Sequence, residues 1–246
     1  MSELAGKVAL VTGGAGPMGR AAGEALAAGG ARVVLVDLPS DRLDAAAAAC
    51  AGALAIAADL TRIEALPALV ERVREKLGAV DILVNNAGVL SNAKSQATDE
   101  AEWRRVLSIN LDAAFFLARA VIPSMTERKW GRIINTSSLA AKTGGLTAGT
   151  AYAVSKGALS ALTFSLAREL AGHGVTANGV APAYVRTPMV TEQLTEAQRQ
   201  SLLATIPVGR FCEPEEFGHV VRFLSAPLAG FITGEIIDLN GGLMMD

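Results

Sequence analysis

Tyr152 opens the pentapeptide Tyr-Ala-Val-Ser-Lys, ending at Lys156. On a helix, positions i and i+4 share a face, so the phenol and the ammonium can point at one site. A free phenol titrates at about 10. A neighbouring cation stabilises the phenolate and draws that value toward a range useful for proton transfer. The same spacing also fits a Tyr and a Lys that merely share a helix face. Few other groups compete for chemistry. The chain has two tyrosines, Tyr152 and Tyr184, and two histidines. His173 follows a helix in Ala-Gly-His-Gly-Val, and His219 lies inside a late helix; both fit surface or capping roles. No G-x-S-x-G or H-E-x-x-H occurs, so nothing points to a serine hydrolase or a zinc peptidase.

The second chemical feature is the loop Thr12-Gly-Gly-Ala-Gly-Pro-Met-Gly19 between an apolar run and a helical segment. Gly14, Gly16 and Gly19 read as G-x-G-x-x-G. Glycine lets the backbone approach a pyrophosphate, and the helix start supplies N–H donors. A P-loop is the competing reading, but Arg20 stands where its lysine belongs and Ala21 where its magnesium-binding hydroxyl belongs. Asp37 lies eighteen positions beyond Gly19 at the end of the second apolar run, where an acid holds the ribose of a dinucleotide. Its carboxylate would accept both adenosine ribose hydroxyls and repel a 2′-phosphate. No Lys or Arg occurs from Gly13 to Gly19, and Leu38 follows the acid. These residues favour NAD over NADP.

Positioning such groups requires strands and helices in a particular order. Short continuous apolar runs recur at Val8–Val11, Val33–Val36, Val80–Val84, Arg132–Ile134, Val175–Ala181 and Glu235–Leu239. Continuous rather than alternating runs mark strands buried on both faces. Helical segments lie between them, at Pro17–Ala28, Arg62–Leu77, Glu100–Glu127 and Ala151–Leu170, with an Ala-rich surface helix at Asp44–Cys50. This order predicts an α/β fold, one doubly wound, Rossmann-like parallel sheet with helices on both faces, spanning residues 1–246 as a single domain. Ligands of such sheets bind at the carboxyl ends of the strands, where the strand order switches.

The composition narrows the setting. The chain has 246 residues, 51% apolar and only 4% aromatic, with a net charge of −2. It is too apolar to be disordered. No basic tract marks a nucleic-acid or anionic-membrane surface. The longest apolar stretch, Ala45–Ala58, is mostly alanine and shorter than the roughly 20 residues of a spanning helix. The N-terminus lacks the pattern of a signal peptide. Cys50 and Cys212 form no metal or redox pattern and read as small buried hydrophobes. We therefore expect a cytoplasmic protein acting on a small molecule, with neither nucleic acid nor membrane as a partner and no bound metal. Two helices, Ala151–Leu170 and Ile109–Ile122, are apolar nearly all round. Helices of that kind are buried on more than one side.

Taken together, these motifs resemble those of the classical short-chain dehydrogenases/reductases over essentially the whole chain. The loop is similar to the family's T-G-x-x-x-G-x-G through Thr12, Gly13 and Gly19. Asp59-Leu60 resembles the pair flanking the adenine, and Asn85-Asn86-Ala87-Gly88 resembles N-N-A-G. Asn110 matches the helix asparagine, Ser138 the catalytic serine, and Tyr152 with Lys156 the Y-x-x-x-K pair. Asn178, Pro182 and Thr187-Pro-Met189 resemble the segment that holds the nicotinamide. The resemblance implies hydride transfer between a nicotinamide and a secondary alcohol or ketone. It also implies that the helices Ala151–Leu170 and Ile109–Ile122 lie at a subunit interface, in a homotetramer or at least a dimer. Tyr152 would be the general acid/base, Lys156 would lower its pKa and bind ribose, Ser138 would bond the substrate oxygen, and Asn110 would hold a water. Ser137, the rival of Ser138, would support the turn. Cofactor contacts would come from Gly13, Gly16, Met18, Gly19, Asp37, Leu38, Asp59, Leu60, Asn86, Ala87, Gly88, Tyr152, Lys156, Pro182, Val185, Thr187 and Met189. Substrate contacts would come from Ser138, Tyr152 and Tyr184, with a substrate-loop region at about 183–208. Leu139, Leu146, Met189 and Leu194 would give it an apolar wall, with Lys94, Lys142 and Arg186 in reach.

The chain departs from the family pattern at four places. Pro17 replaces the middle loop glycine, Pro182-Ala183 stands for Pro-Gly, and Asn240 replaces an Asp before the terminal Gly-Gly. The interval from Ser138 to Tyr152 is 14, one longer than the family's, which places a bulge at Gly144-Gly145. Two other readings stand beside an NAD-linked alcohol dehydrogenase. A 3-oxoacyl-thioester reductase would want NADP and a basic surface for a carrier protein. A non-catalytic dinucleotide-binding scaffold would not need to keep Asn110, Ser138, Tyr152 and Lys156.

Overall fold

A computed structural model describes residues 2–188 and 195–245. Seven strands form one parallel sheet: β1 (Val8–Thr12), β2 (Arg32–Asp37), β3 (Leu54–Ala57), β4 (Ile82–Asn85), β5 (Gly131–Thr136), β6 (Val175–Pro182) and β7 (Ile236–Leu239). Their spatial order is β3-β2-β1-β4-β5-β6-β7. The order reverses between β1 and β4, which pair as Ala9↔Ile82, Leu10↔Leu83 and Val11↔Val84. Among the described residues the α-helices are α1 (Pro17–Ala28), α2 (Asp41–Ala49), α3 (Leu66–Leu77), α4 (Glu100–Leu107), α5 (Ala113–Glu127), α6 (Ala140–Thr143), α7 (Thr150–Leu170), α8 (Glu196–Leu203) and α9 (Pro214–Ser225).

The continuous apolar runs are strands with two buried faces. Val8 and Leu10 of β1 enter one core with Leu69 of α3, Leu117 of α5 and Leu166 of α7. Ala9 and Val11 enter the other with Leu26 of α1, Leu43 of α2 and Phe217 of α9. Each fully buried Val or Leu contributes roughly 1.5–3 kcal/mol, so this two-sided burial holds the sheet between its helix layers.

Three elements differ from the sequence reading. The Ala-rich run conceals both α2 and β3. The helix starts earlier than expected because Ser40 caps it, accepting from the Leu43 N–H at 3.3 Å. The segment read as one helix over Glu100–Glu127 is split by a π-helical turn at Ser108–Asp112, which carries the buried Asn110. That whole run is long and apolar enough to cross a membrane by length and composition, yet Leu117, Val121 and Met125 lie in the sheet core. Pro17 is accommodated simply. It sits in the first turn of α1, after the N-cap Gly16, where a missing N–H costs no helical hydrogen bond.

Candidate active site

The β1–α1 loop and the β4 exit meet at the switch point. Thr12 Oγ1 accepts the N–H groups of Asn86 and Ala87, both at 3.0 Å, and donates to the Val84 carbonyl. Asn86 Nδ2 donates to the Thr12 carbonyl at 3.0 Å. The side chain of Asn86 thus shapes the loop from below. Gly13 has φ +68, and a Cβ there would lie 2.8 Å from Asn86 Nδ2; a Cβ on Gly19 would lie 2.1 Å from the Gly13 carbonyl oxygen. Only glycine permits this approach of helix to loop.

From this loop a cleft of about 1050 Å³ runs across the carboxyl ends of the strands. Its walls include Gly13, Gly16, Met18, Gly19, Asp37, Leu38, Asp59, Leu60, Asn86, Ala87, Gly88, Pro182, Val185 and Thr187, together with Ser138, Tyr152, Lys156 and Tyr184. Met189 and Leu194 lie outside the described residues. Asp37 Oδ2 accepts the Ala15 N–H at 3.0 Å, and Oδ1 accepts the Leu38 N–H at 2.8 Å. The carboxylate therefore braces the glycine loop and keeps further lone pairs for a ligand. Asp59 Oδ1 accepts from the Thr61 hydroxyl and N–H, which hold its carboxyl below the usual range. A groove floored by glycine and ending on carboxylates fits a dinucleotide.

The other end of the cleft gathers the catalytic candidates. Ser138 leaves β5, and its Oγ accepts the Ala140 N–H at 3.1 Å. Tyr152 stands in the first turn of α7, with the Ser138 hydroxyl near enough to favour its phenolate. Burial holds the phenol above its ordinary value, and the Ser138 hydroxyl opposes that only in part. The sequence reading expected the reverse direction from Lys156. The ammonium lies 5.8 Å from the phenol ring centroid, but it is itself buried and drawn down to about 8 by desolvation. Lys156 Nζ donates to the Thr136 carbonyl at 2.7 Å. Thr136 was not among the residues expected from sequence, because its contribution is a main-chain oxygen.

Asn110 lies behind the cleft rather than in its wall. Its Oδ1 accepts the Val89 N–H at 2.8 Å, and its Nδ2 donates to the Val89 carbonyl and to Ser155 Oγ, each at 3.0 Å. Ser155 Oγ in turn donates to the Tyr152 carbonyl at 2.7 Å. Both atoms of the amide, the group expected from sequence to hold a water, bond protein and position the main chain after β4 against α7; Oδ1 keeps a second lone pair for such a water. Ser137 Oγ bonds Ser160 Oγ at 2.7 Å and the Lys156 carbonyl at 3.1 Å, tying β5 to α7.

The three surface cations expected near the substrate end are engaged elsewhere. Lys94 donates to the carbonyls of Gly145 and Ala148, Lys142 pairs with Asp238 at 2.6 Å, and Arg186 pairs with Glu213 at 2.8 Å. Among the described residues lining the cleft, Lys156 is the one cation. The sequence from 189 to 194 contains no Lys, Arg or His. The substrate end is instead lined by Leu90, Leu139, Leu146 and Leu202 with the uncharged polar groups of Asn92, Thr147, Tyr184, Gln198 and Ser201.

Comparison with known proteins agrees with this geometry. Residues 13–244 match the family described as enoyl-(acyl carrier protein) reductase. The chain is 39% identical to the 3-oxoacyl-(acyl-carrier-protein) reductase FabG of Vibrio cholerae, covering 99% of each. A solved structure described as a short-chain alcohol dehydrogenase from Sinorhizobium meliloti superposes with a TM-score of 0.93 at 36% identity, over 98% of this chain and 97% of the other. One described as an NAD(P)-dependent gluconate 5-dehydrogenase from Beutenbergia cavernae, with NADP bound at low occupancy, gives 0.90 at 34% identity over 98% of both chains. The chain belongs to the short-chain dehydrogenase/reductase family.

Proposed function

We propose that this oxidoreductase interconverts a secondary alcohol and a ketone with NAD, on a substrate that carries no charge near the reacting carbon. The observation that supports it most is the junction of the Ser138–Tyr152–Lys156 group with the glycine-floored groove in one cleft. When bound, the dinucleotide would supply the hydride donor or acceptor and, in its oxidised form, a positive charge. Gly13, Gly16, Met18 and Gly19 would hold its phosphates, Asp37 and Leu38 the adenosine ribose, Asp59 and Leu60 the adenine. Asn86, Ala87, Gly88, Pro182, Val185, Thr187 and Met189 would flank the rest. In ketone reduction Tyr152 gives its proton to the substrate oxygen while Ser138 donates a hydrogen bond to that oxygen and stabilises its developing charge. Lys156 holds the phenol's surroundings positive, and Asn110 fixes the strand exit beneath them. The substrate-loop region about 183–208 would close over the substrate, with Tyr184 in the cleft wall.

The identity to a 3-oxoacyl-(acyl-carrier-protein) reductase supports a second reading, reduction of a 3-oxoacyl thioester. Asp37 at the end of β2 and the net charge of −2 weigh against NADP and an acidic carrier. A panel of neutral ketones, carboxylated ketones and an acetoacetyl thioester, read by absorbance of the reduced cofactor, separates the readings. Neutral ketones are expected to turn over, with kcat/KM for NADH above that for NADPH by about tenfold, a difference of about 1.4 kcal/mol. Preference for NADPH and the thioester would establish the second reading. Dinucleotide binding without any turnover would instead leave a scaffold.

The reading includes a cytoplasmic location and a homotetramer. Phe115 of α5 and Val154 and Phe164 of α7 remain exposed on the helices that are apolar nearly all round. Burying such a patch between copies removes it from water. Light scattering at micromolar concentration is expected to give a mass four times 25.3 kDa, or at least twice that value; a monomeric mass refutes the assembly.

A further inference from the structure

The loop that precedes Tyr152 is held by a charge from outside the catalytic group. Gly144 and Gly145 both have left-handed backbone, φ +72 and +82. They turn the chain so that two carbonyls, those of Gly145 and Ala148, converge. A Cβ on Gly145 would lie 2.8 Å from the Ala148 oxygen, so the convergence itself depends on glycine. Lys94 Nζ bonds both oxygens, at 2.8 and 2.6 Å. The main chain around Lys94 is laced to the same loop: the Gly149 N–H donates to the Ser91 carbonyl at 2.6 Å and the Thr150 N–H to the Ala93 carbonyl at 3.1 Å. On the cleft side of this lacing stand Leu146 and Thr147, with Thr147 Oγ1 3.5 Å from Tyr184 Oη.

We propose that Lys94 is a positioning residue that sets the substrate wall of the cleft by clamping the 144–149 loop through its carbonyls. Bringing two carbonyl oxygens together is unfavourable without a donor between them, and an ammonium supplies charge-assisted bonds to both. The same bonds hold the ammonium away from the substrate. This rests on the dehydrogenase reading for its kinetic arm only. Lys94→Met keeps the length and apolar stem and removes both donors; Lys94→Arg keeps the charge. With the preferred neutral ketone, Lys94→Met is expected to raise the substrate KM by about tenfold, the scale of effect expected of a misplaced positioning group. Its kcat and dinucleotide KM should stay within about twofold, and Lys94→Arg should recover part of the loss. Independently of any turnover, hydrogen exchange at the Gly149 and Thr150 amides should accelerate in Lys94→Met while β1 stays protected. Unchanged exchange in the 144–150 peptide overturns the clamp. An increase in KM confined to carboxylated ketones also overturns it, because Lys94 would then be reading substrate charge directly. If the wild type turns over no ketone, the dehydrogenase reading falls and the exchange measurement alone decides the clamp.

Discussion

Tyr152→Phe is expected to lower ketone reduction by about a thousandfold, within the range that a positioned general acid contributes. The argument starts from burial. The phenol is held above its ordinary value, so it keeps its proton throughout the neutral range and is a donor in the resting site. Ketone reduction should therefore hold its rate at neutral pH, and alcohol oxidation should rise with pH as the phenolate becomes populated. Phe keeps the ring that packs against Ala140, Ala148 and Ala153, so folding should be little affected. Ser138 keeps the Ala140 N–H as a partner. Dinucleotide affinity should change by less than about twofold, well under the roughly 1.4 kcal/mol of a tenfold effect. Steady-state rates and a binding titration on the same preparation check this. Retained turnover would remove Tyr152 from its role, whereas a parallel loss of dinucleotide binding would mean that the substitution had disturbed the groove.

Such a prediction can be made because much of this site is written in local sequence. Tyr152 and Lys156 share a helix face by spacing alone, and the glycines after β1 encode the close approach that the structure contains. The strands of the central sheet were legible because burial on two faces leaves nearly continuous Val, Ile and Leu. β3 was not legible, since Leu54-Ala-Ile-Ala lies inside an alanine run that carries no β-branched signal beyond Ile56. The π-turn was hidden for a different reason. Its one-residue shift of register depends on backbone packing, and only its consequence, the inward Asn110, has a side-chain identity to read. The partners of Asn110, Lys94 and Lys156 are mainly main-chain atoms of Val89, Gly145, Ala148 and Thr136, which any residue supplies. The direction of the Tyr152 shift failed for the same kind of reason: spacing places a cation nearby, but the depth at which both groups sit is set by the fold.

Lys156→Met is expected to abolish useful turnover and yet to stabilise the folded protein at neutral pH. Lys156 is 3% exposed, and the described ion pairs leave it without a carboxylate partner. Desolvation draws its ammonium from an ordinary value of 10.5 to about 8. A depressed lysine pKa means that the unfolded chain binds the proton more tightly than the folded one. The resulting penalty on folding is complete below about pH 8 and is relieved as pH rises toward 10.5, reaching about 3 kcal/mol at its largest. Methionine fills a similar volume without that charge. It forfeits the charge-assisted hydrogen bond to the Thr136 carbonyl, a loss of about 2 kcal/mol. The net gain at pH 7 should thus be about 1 kcal/mol, fading between pH 8 and 10.5. Urea unfolding of both proteins at pH 7 and pH 10 measures it. A wild type more stable than the variant at pH 7 would show that the buried charge is compensated by contacts other than Thr136. The expected outcome instead places the ammonium among features retained at a cost to stability, because the site needs a positive charge next to the phenol that stability alone would remove.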